Sequence, residues 1–150
     1  MIEYVEGNIF DADVDALVNP VNCVGVMGKG LALQFKEKYP ENFKLYKIFC
    51  DKGEMRVGQV FWTTYHIADT KNPKYIVNFP TKDHWRNNSL YSYISLGLID
   101  LKYFVQKFDI NSIAIPPIGC GLGGLDWNIV RSNIEETFLD LNNVRVLIYG

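Results

Sequence analysis

Three stretches of the chain concentrate residue types that could do chemistry, and each follows a short apolar run. The first is Pro116-Pro117-Ile118-Gly119-Cys120-Gly121-Leu122-Gly123-Gly124, with four glycines within six residues. Glycine permits positive φ and close backbone approach, so successive amides can point into one concavity and hold phosphate oxygens near a helix N-terminus. A diphosphate is the natural guest, whereas a plain tight turn needs fewer glycines. Gly119, Gly121 and Gly124 also match the dinucleotide fingerprint literally. That motif, however, opens the first strand–helix unit and expects an acid about 20 positions on, at the end of the next strand. Here the motif comes last and the next apolar run ends at Tyr149, which makes a nicotinamide oxidoreductase a poor alternative.

The second stretch runs from Asn19 to Gly30 and contains Asn22 and Gly28-Lys29-Gly30. It is not a triphosphate-binding P-loop, because Cys23 stands where the first glycine belongs and Gly30 replaces the metal-binding hydroxyl residue. What remains is a glycine-flexible loop with one amide side chain, Asn22, able to donate and accept toward sugar hydroxyls. The third stretch, Pro80-Thr81-Lys82-Asp83-His84-Trp85-Arg86, is dense in functional side chains. Taken alone, its lysine reads as a solvated, idle loop residue, and His84 and Trp85 read equally well as surface or core. Cys23 and Cys120 lie in these loops without an evident histidine partner, so their expected role is small-volume packing that shapes a cleft, not nucleophilic attack.

The elements that must position these loops are legible in the apolar pattern. Candidate strands fall at Ile2–Val5, Ala16–Val18, Val60–Tyr65, Tyr75–Phe79, Ser112–Ile115 and Val144–Tyr149. Leu90, Ile94, Leu98, Leu101 and Val105 recur at helical spacing and predict a long helix beginning near Asn88. Trp127, Val130, Ile134, Phe138 and Leu141 predict another, with Asp126 as its N-cap. Two shorter helices are predicted over Leu31–Lys38 and Glu41–Cys50, divided at Tyr39-Pro40, because proline cannot continue one helix but can open the next. Strands alternating with helices argue for a largely parallel or mixed sheet covered on its faces. In such sheets ligands bind beyond the carboxyl ends of the strands, where the three loops would converge if Tyr75–Phe79 is central.

Composition is consistent with one domain filling the 150 residues, 48% of them hydrophobic and 21% charged. A chain of this length buries roughly 70% of its unfolded surface and needs no staple. Three cysteines without a C-x-x-C pair suggest neither a disulfide framework nor a zinc site, and point to a reducing, cytoplasmic setting. No run of about 18 apolar residues and no basic leader with an apolar core is present, so a soluble protein is expected. A net charge of −2 gives no general attraction to nucleic acid, although it leaves room for a local basic patch.

Taken in order, Gly7-Asn8-Ile9-Phe10, Val14–Asn22, the Gly28-Lys29-Gly30 loop and the late glycine loop resemble a macrodomain along the whole chain. Gly25–Phe35, Asn78–Lys82 and Gly119–Leu122 are similar to the branch that holds terminal ADP-ribose protein glycohydrolase and the bacterial DarG antitoxins. Thr81–Arg86 and Gly121–Trp127 lean toward the DarG type. The resemblance implies a three-layer α/β/α fold with a six-stranded mixed sheet and a cleft for ADP-ribose as ligand, with no cofactor and no metal. By family position, Asn8 and Ile9 would lie at the adenine end. Asn22, Gly28, Lys29 and Gly30 would lie at the distal ribose, and Thr81, His84 and Trp85 would also contact ADP-ribose. Ile118, Gly119, Cys120, Gly121, Leu122 and Gly123 would run along the phosphates.

Lys82 matches the lysine on which this branch depends. The resemblance allows two roles: attack by a neutral amine on the anomeric carbon, which requires a lowered pKa, or action as a charged group that positions the ribose or protonates the leaving group. Two positions depart from family patterns. Asn8 replaces the aspartate that most macrodomains carry, and Gly123 replaces the aspartate of the protein-directed enzyme, which DarG-type proteins also lack. The implied activity is removal of ADP-ribose from thymidine in single-stranded DNA, opposing a DarT-type toxin. Trp85 would stack on a base, and Arg86 or Lys71 would meet a phosphate. Hydrolysis of ADP-ribosylated protein Glu or Asp, and a non-catalytic ADP-ribose-binding module, are the alternatives. Proteins of this type usually carry a second, toxin-contacting region, so residues 1–150 are expected to be the N-terminal portion of a longer chain.

Overall fold

In the computed structural model, which describes residues 1–150, the six strands are β1 (Ile2–Val5), β2 (Ala16–Val21), β3 (Phe61–Thr64), β4 (Tyr75–Pro80), β5 (Ser112–Ile115) and β6 (Arg145–Tyr149). The helices are α1 (Gly30–Lys38), α2 (Pro40–Asp51), α3 (Tyr91–Lys107) and α4 (Trp127–Phe138). One sheet runs β1-β6-β5-β2-β4-β3, every adjacent pair parallel except β3 with β4. No helix is long and apolar enough to cross a membrane.

Period-two alternation divides the apolar residues between the two faces, as a sheet buried on both sides requires. Ala16, Val18, Val77, Phe79, Ile113, Ile115, Val146 and Ile148 face α3 and α4 and form the main core with Ile94, Leu98, Leu101, Val130, Ile134 and Phe138. Their neighbours Leu17, Ile76, Ala114 and Leu147 point the other way and meet Phe35 of α1. Each such fully buried side chain contributes roughly 1.5–3 kcal/mol relative to exposure. A third cluster of Val21, Met27, Tyr46 and Met55 fills the space under α2. The three-layer α/β/α architecture with a six-stranded mixed sheet is thus present.

Three details differ from the sequence pattern. β2 continues past Val18 through Asn19 and Pro20 to Val21. Proline is tolerated because pairing with β5 stops at Leu17, leaving β2 laddered only to β4 at that height, as in an edge strand. The long helix starts at Tyr91, so Leu90 precedes it and is 50% exposed instead of joining the buried stripe. Leu141 lies beyond the last residue of α4, though it still packs on the main core.

Polar side chains inside the sheet bond to one another, with the Asn19 side-chain carbonyl oxygen left over. Asn78 of β4 accepts from the amides of Asn19 (3.1 Å) and Asn42 (3.0 Å) and donates to Asn42 (2.9 Å) and the Phe61 carbonyl (3.0 Å). The Thr63 hydroxyl donates to Asn42 at 2.7 Å. This network joins β2, β4, α2 and β3, and its amides are wholly buried.

Candidate functional site

Strands β5, β2 and β4 are adjacent and parallel, so the chain leaves all three at the same edge of the sheet. The loops that follow wall one cleft of about 700 Å³, within the range usual for small-ligand sites. The first wall holds Pro20, Val21, Asn22, Val26 and the Gly28–Ala32 turn into α1, and the second holds Thr81, Lys82, Trp85 and Arg86. The third wall holds Pro116, Pro117 and Gly119 through Gly123. Hydrogen bonds beyond the strands hold the first two walls together, from Thr81 N to the Val21 carbonyl (2.9 Å) and from Cys23 N to the Asp83 carbonyl (3.1 Å).

Two sets of backbone amides in this cleft have no partner in the chain. No side chain caps α1, which leaves the amides of Gly30, Leu31 and Ala32 without a hydrogen bond inside the protein. Those of Gly121, Leu122 and Gly123 are likewise unpaired, while Cys120 N, Gly124 N and Leu125 N close the loop onto the Pro117, Gly121 and Gly119 carbonyls. Positive φ at Gly119 (76°) turns the chain there, a conformation that disfavours any other residue. Such amides, one set at a helix N-terminus, are anion-binding devices. The charged side chains of the lining are Lys29, Lys82 and Arg86, and no carboxylate is among them.

Gly123 is glycine for reasons of space. A Cβ built there would lie 2.3 Å from Ser89 Oγ and 2.5 Å from the Gly119 carbonyl oxygen. Ser89 is buried beneath the loop, its amide donating to the Gly123 carbonyl at 3.0 Å and its hydroxyl unpartnered. A carboxylate cannot stand at this position without moving the loop. Asp126, close by in sequence, caps α4 by accepting from Asn128 N at 2.9 Å and does not line the cleft.

Lys82 is half-buried and its Nζ donates to the Trp85 carbonyl at 3.1 Å. The turn that carries both is internally tied. Asp83 Oδ1 accepts from His84 N (2.8 Å) and Asn87 Nδ2 (2.9 Å), Asn87 N donates to the His84 carbonyl (3.0 Å), and Arg86 N donates to His84 Nδ1 (3.1 Å). Asn87 and the His84 amide hold the Asp83 carboxyl below its ordinary range by these bonds. Burial, reinforced by nearby Cys50 and Asp83, pushes the Cys23 thiol up to about 12. Burial and Asp126 push Cys120 up to about 11. Both are protonated at neutral pH, as residues that shape a wall and not as thiolate nucleophiles.

The cleft gathers Asn22, Gly28, Lys29, Gly30, Thr81, Lys82, Trp85, Gly119, Cys120, Gly121, Leu122 and Gly123 from the residues singled out in the sequence. Four others lie elsewhere. Ile118 has no exposed surface and belongs to the main core under the loop. His84 stays off the lining because its ring serves as acceptor within its own turn. Ile9 is buried in the second core, and Asn8 uses its carbonyl oxygen to cap the short 3-10 turn Ile9–Asp11, accepting from Phe10 N at 3.0 Å. That oxygen is therefore not wholly free for a purine.

Asn22 lines the cleft and is also held by its own loop. Its Oδ1 accepts from Val24 N (3.1 Å), its Nδ2 donates to the Val26 carbonyl (2.8 Å), and the Tyr46 hydroxyl sits 2.8 Å from both its carbonyl and its Oδ1. Asn22 chiefly braces its loop, with one amide hydrogen left over. The liners Pro20, Val21, Val26, Leu31, Ala32, Pro116, Pro117 and Arg86 were outside the expected ADP-ribose set, although all but Leu31 and Ala32 lie in the three stretches singled out in the sequence. No group of three His, Cys, Asp or Glu side chains is arranged to hold a metal ion.

Comparison with known proteins agrees with this fold. The macro domain family model matches residues 18–134. The DNA ADP-ribosyl glycohydrolase of Mycobacterium tuberculosis is 49% identical over 152 residues, covering 99% of this chain and 42% of that protein. The chain thus spans about two fifths of the length of the DNA ADP-ribosyl glycohydrolases it matches. Among solved structures, the macrodomain of Mycobacterium tuberculosis DarG is similar with a TM-score of 0.96 at 48% identity, over 100% of this chain and 97% of that one. Thermosipho africanus DarTG in complex with ADP-ribose is similar with a TM-score of 0.89 at 32% identity, over 99% of this chain and 41% of that one. With a family model over most of its length and a DarG macrodomain matched end to end, the chain belongs to the macrodomain family, on its DarG-type branch.

Proposed function

We propose that this domain is an ADP-ribosyl glycohydrolase that frees thymidine in single-stranded DNA of ADP-ribose, and so opposes a DarT-type toxin. The observation that carries the reading is the character of the cleft. Unpaired amides from two loops meet Lys29, Lys82 and Arg86 with no carboxylate among them, in a chain of net charge −2. A ligand with a diphosphate at its centre and a nucleic-acid backbone at one end suits that wall. Similarity to proteins named DNA ADP-ribosyl glycohydrolase supports the same reading.

In the reaction, the bond between the distal ribose C1″ and the thymine nitrogen breaks. Water supplies hydroxyl to the carbon and a proton to the nitrogen, giving ADP-ribose and unmodified thymidine. The diphosphate is held by the amides of Gly121–Gly123 and the open end of α1, with Lys82 at the reacting ribose. Crowding at Gly123 favours DNA over protein acids, because the aspartate of the protein-directed enzyme has no space there.

The test is release of ADP-ribose from a single-stranded oligonucleotide carrying ADP-ribosylated thymidine. Lys82→Ala is expected to lower the rate at least about 100-fold while leaving the melting temperature unchanged. Lys82→Arg keeps the charge but not the nucleophile, so inactivity comparable to Lys82→Ala favours attack by the amine and substantial retention favours an electrostatic role. If the wild type leaves the DNA intact but clears ADP-ribosylated glutamate, the protein-directed reading takes its place, and binding without turnover of either substrate makes the domain a reader.

A further inference from the structure

Trp85 is a large aromatic side chain at the rim of the cleft, 46% exposed, and it joins none of the three apolar clusters. Its indole is therefore not part of the apolar core. The turn beneath it is nonetheless fastened by both hydrogen bonds to Asp83 Oδ1, by the acceptor role of His84 Nδ1, and by the bond from Cys23 N to the Asp83 carbonyl. The guanidinium of Arg86 rests 4.7 Å from the centre of the indole ring, so a planar cation accompanies the aromatic surface. The backbone carbonyl of Trp85 also receives the Lys82 amine at 3.1 Å, which joins this surface to the lysine of the proposed reaction.

We infer that Trp85 and Arg86 form the seat for the DNA side of the substrate, the indole stacking on the modified thymine and the guanidinium meeting an adjoining backbone phosphate. This inference rests on the DNA-directed reading and deepens it. Every nucleobase offers a π-face, and single-strand binders use such aromatic platforms beside cations. A platform already fixed by its turn loses little freedom when the strand arrives. The seat lies on the leaving-group side of the scissile bond, so it recognises the DNA and not the ADP-ribose.

The experiment measures binding and turnover separately. In a Lys82→Ala background, which leaves the ligand uncleaved, a fluorescently labelled single-stranded oligonucleotide bearing ADP-ribosylated thymidine is titrated by anisotropy with protein otherwise wild type, Trp85→Ala, Trp85→Phe and Arg86→Ala, beside calorimetric titration of each with free ADP-ribose. Trp85→Ala should weaken the oligonucleotide about tenfold, within what base–aromatic stacking contributes, with free ADP-ribose affinity within twofold of the Lys82→Ala parent. Trp85→Phe should recover most of the loss, and Arg86→Ala should reduce the slope of log affinity against log salt by about one. The inference is overturned if Trp85→Ala weakens both ligands equally, if it weakens neither, or if the Lys82→Ala parent binds the oligonucleotide no more tightly than free ADP-ribose. Failure of the wild type to turn over the oligonucleotide would count against the proposed activity alone, because the binding comparison does not depend on turnover.

Discussion

Replacing Gly123 by alanine tests whether close approach defines the phosphate-facing loop. The new Cβ would stand 2.3 Å from Ser89 Oγ and 2.5 Å from the Gly119 carbonyl oxygen, both well inside contact distance. Ser89 can turn its hydroxyl, but the Gly119 carbonyl is backbone and already accepts from Leu125 N at 2.9 Å. Overpacking of this kind costs about 1–3 kcal/mol and a weakened hydrogen bond about 1 kcal/mol more, so the expected destabilisation is about 2–4 kcal/mol. For a domain of this length that is a fall in Tm on the order of 10 °C, read by calorimetry. ADP-ribose affinity should fall with it, because the displaced residues carry the unpaired amides. A Ser89→Ala background removes the nearest obstacle and leaves the carbonyl, so a double-mutant cycle should return part of the loss and not all of it. A Gly123→Ala protein that melts within about 1 °C of wild type, a shift well under 1 kcal/mol, and binds ADP-ribose equally well would refute the reasoning.

Three further outcomes follow from the geometry. Tyr46→Phe removes the hydroxyl that braces Asn22 at 2.8 Å, costing about 1–2 kcal/mol, and calorimetric titration should show several-fold weaker ADP-ribose binding as the loop loosens. Asp126→Ala should cost about 1 kcal/mol through loss of the α4 cap while oligonucleotide turnover stays within twofold; a large rate loss would make Asp126 more than a cap. Burial holds the Cys23 thiol protonated up to about 12 in the folded chain, against the usual 9.0 that applies once it unfolds. The unfolded state therefore sheds its proton first, and stability present below pH 9 is lost as pH rises from 9 toward 12. Urea titrations across that interval should show this fall, reduced in Cys23→Ala; an identical slope in the variant would exclude the thiol as a source.

Much of the molecule is legible in its residues because two periods carry the information. Apolar runs rich in β-branched and aromatic residues mark all six strands, and the three-and-four spacing of Ile94, Leu98, Leu101 and Val105 marks α3. Asp126 is readable as a cap because its carboxylate serves amides next to it in the chain. Features that depend on distant parts of the chain are not readable in the same way. Pro20 looks like a strand terminator until the early end of β5 is known. Ile118 sits in a glycine loop yet belongs to the core, since only tertiary packing decides which side of the loop faces inward. Asn22 reads as a free amide because loop geometry, which composition does not show, turns it onto Val24 N and the Val26 carbonyl, and because a further partner, the Tyr46 hydroxyl, is 24 residues away. The want of space at Gly123 is invisible without Ser89, which the sequence places on the far side of another loop.

The buried asparagine network has a consequence for how such a domain can change its preferences. Slipping β2 by one residue against β4 would pull Asn19 from Asn78 and leave amides unpaired in an apolar interior, at a cost of several kcal/mol. The two strands are thereby pinned in height relative to each other, and so are the points at which the chain leaves Val21 and Pro80 to form two of the three walls. Descendants that keep these asparagines inherit the distance between those walls, and a new substrate has to be accommodated by exchanging side chains in the loops, while the frame between them stays as it is.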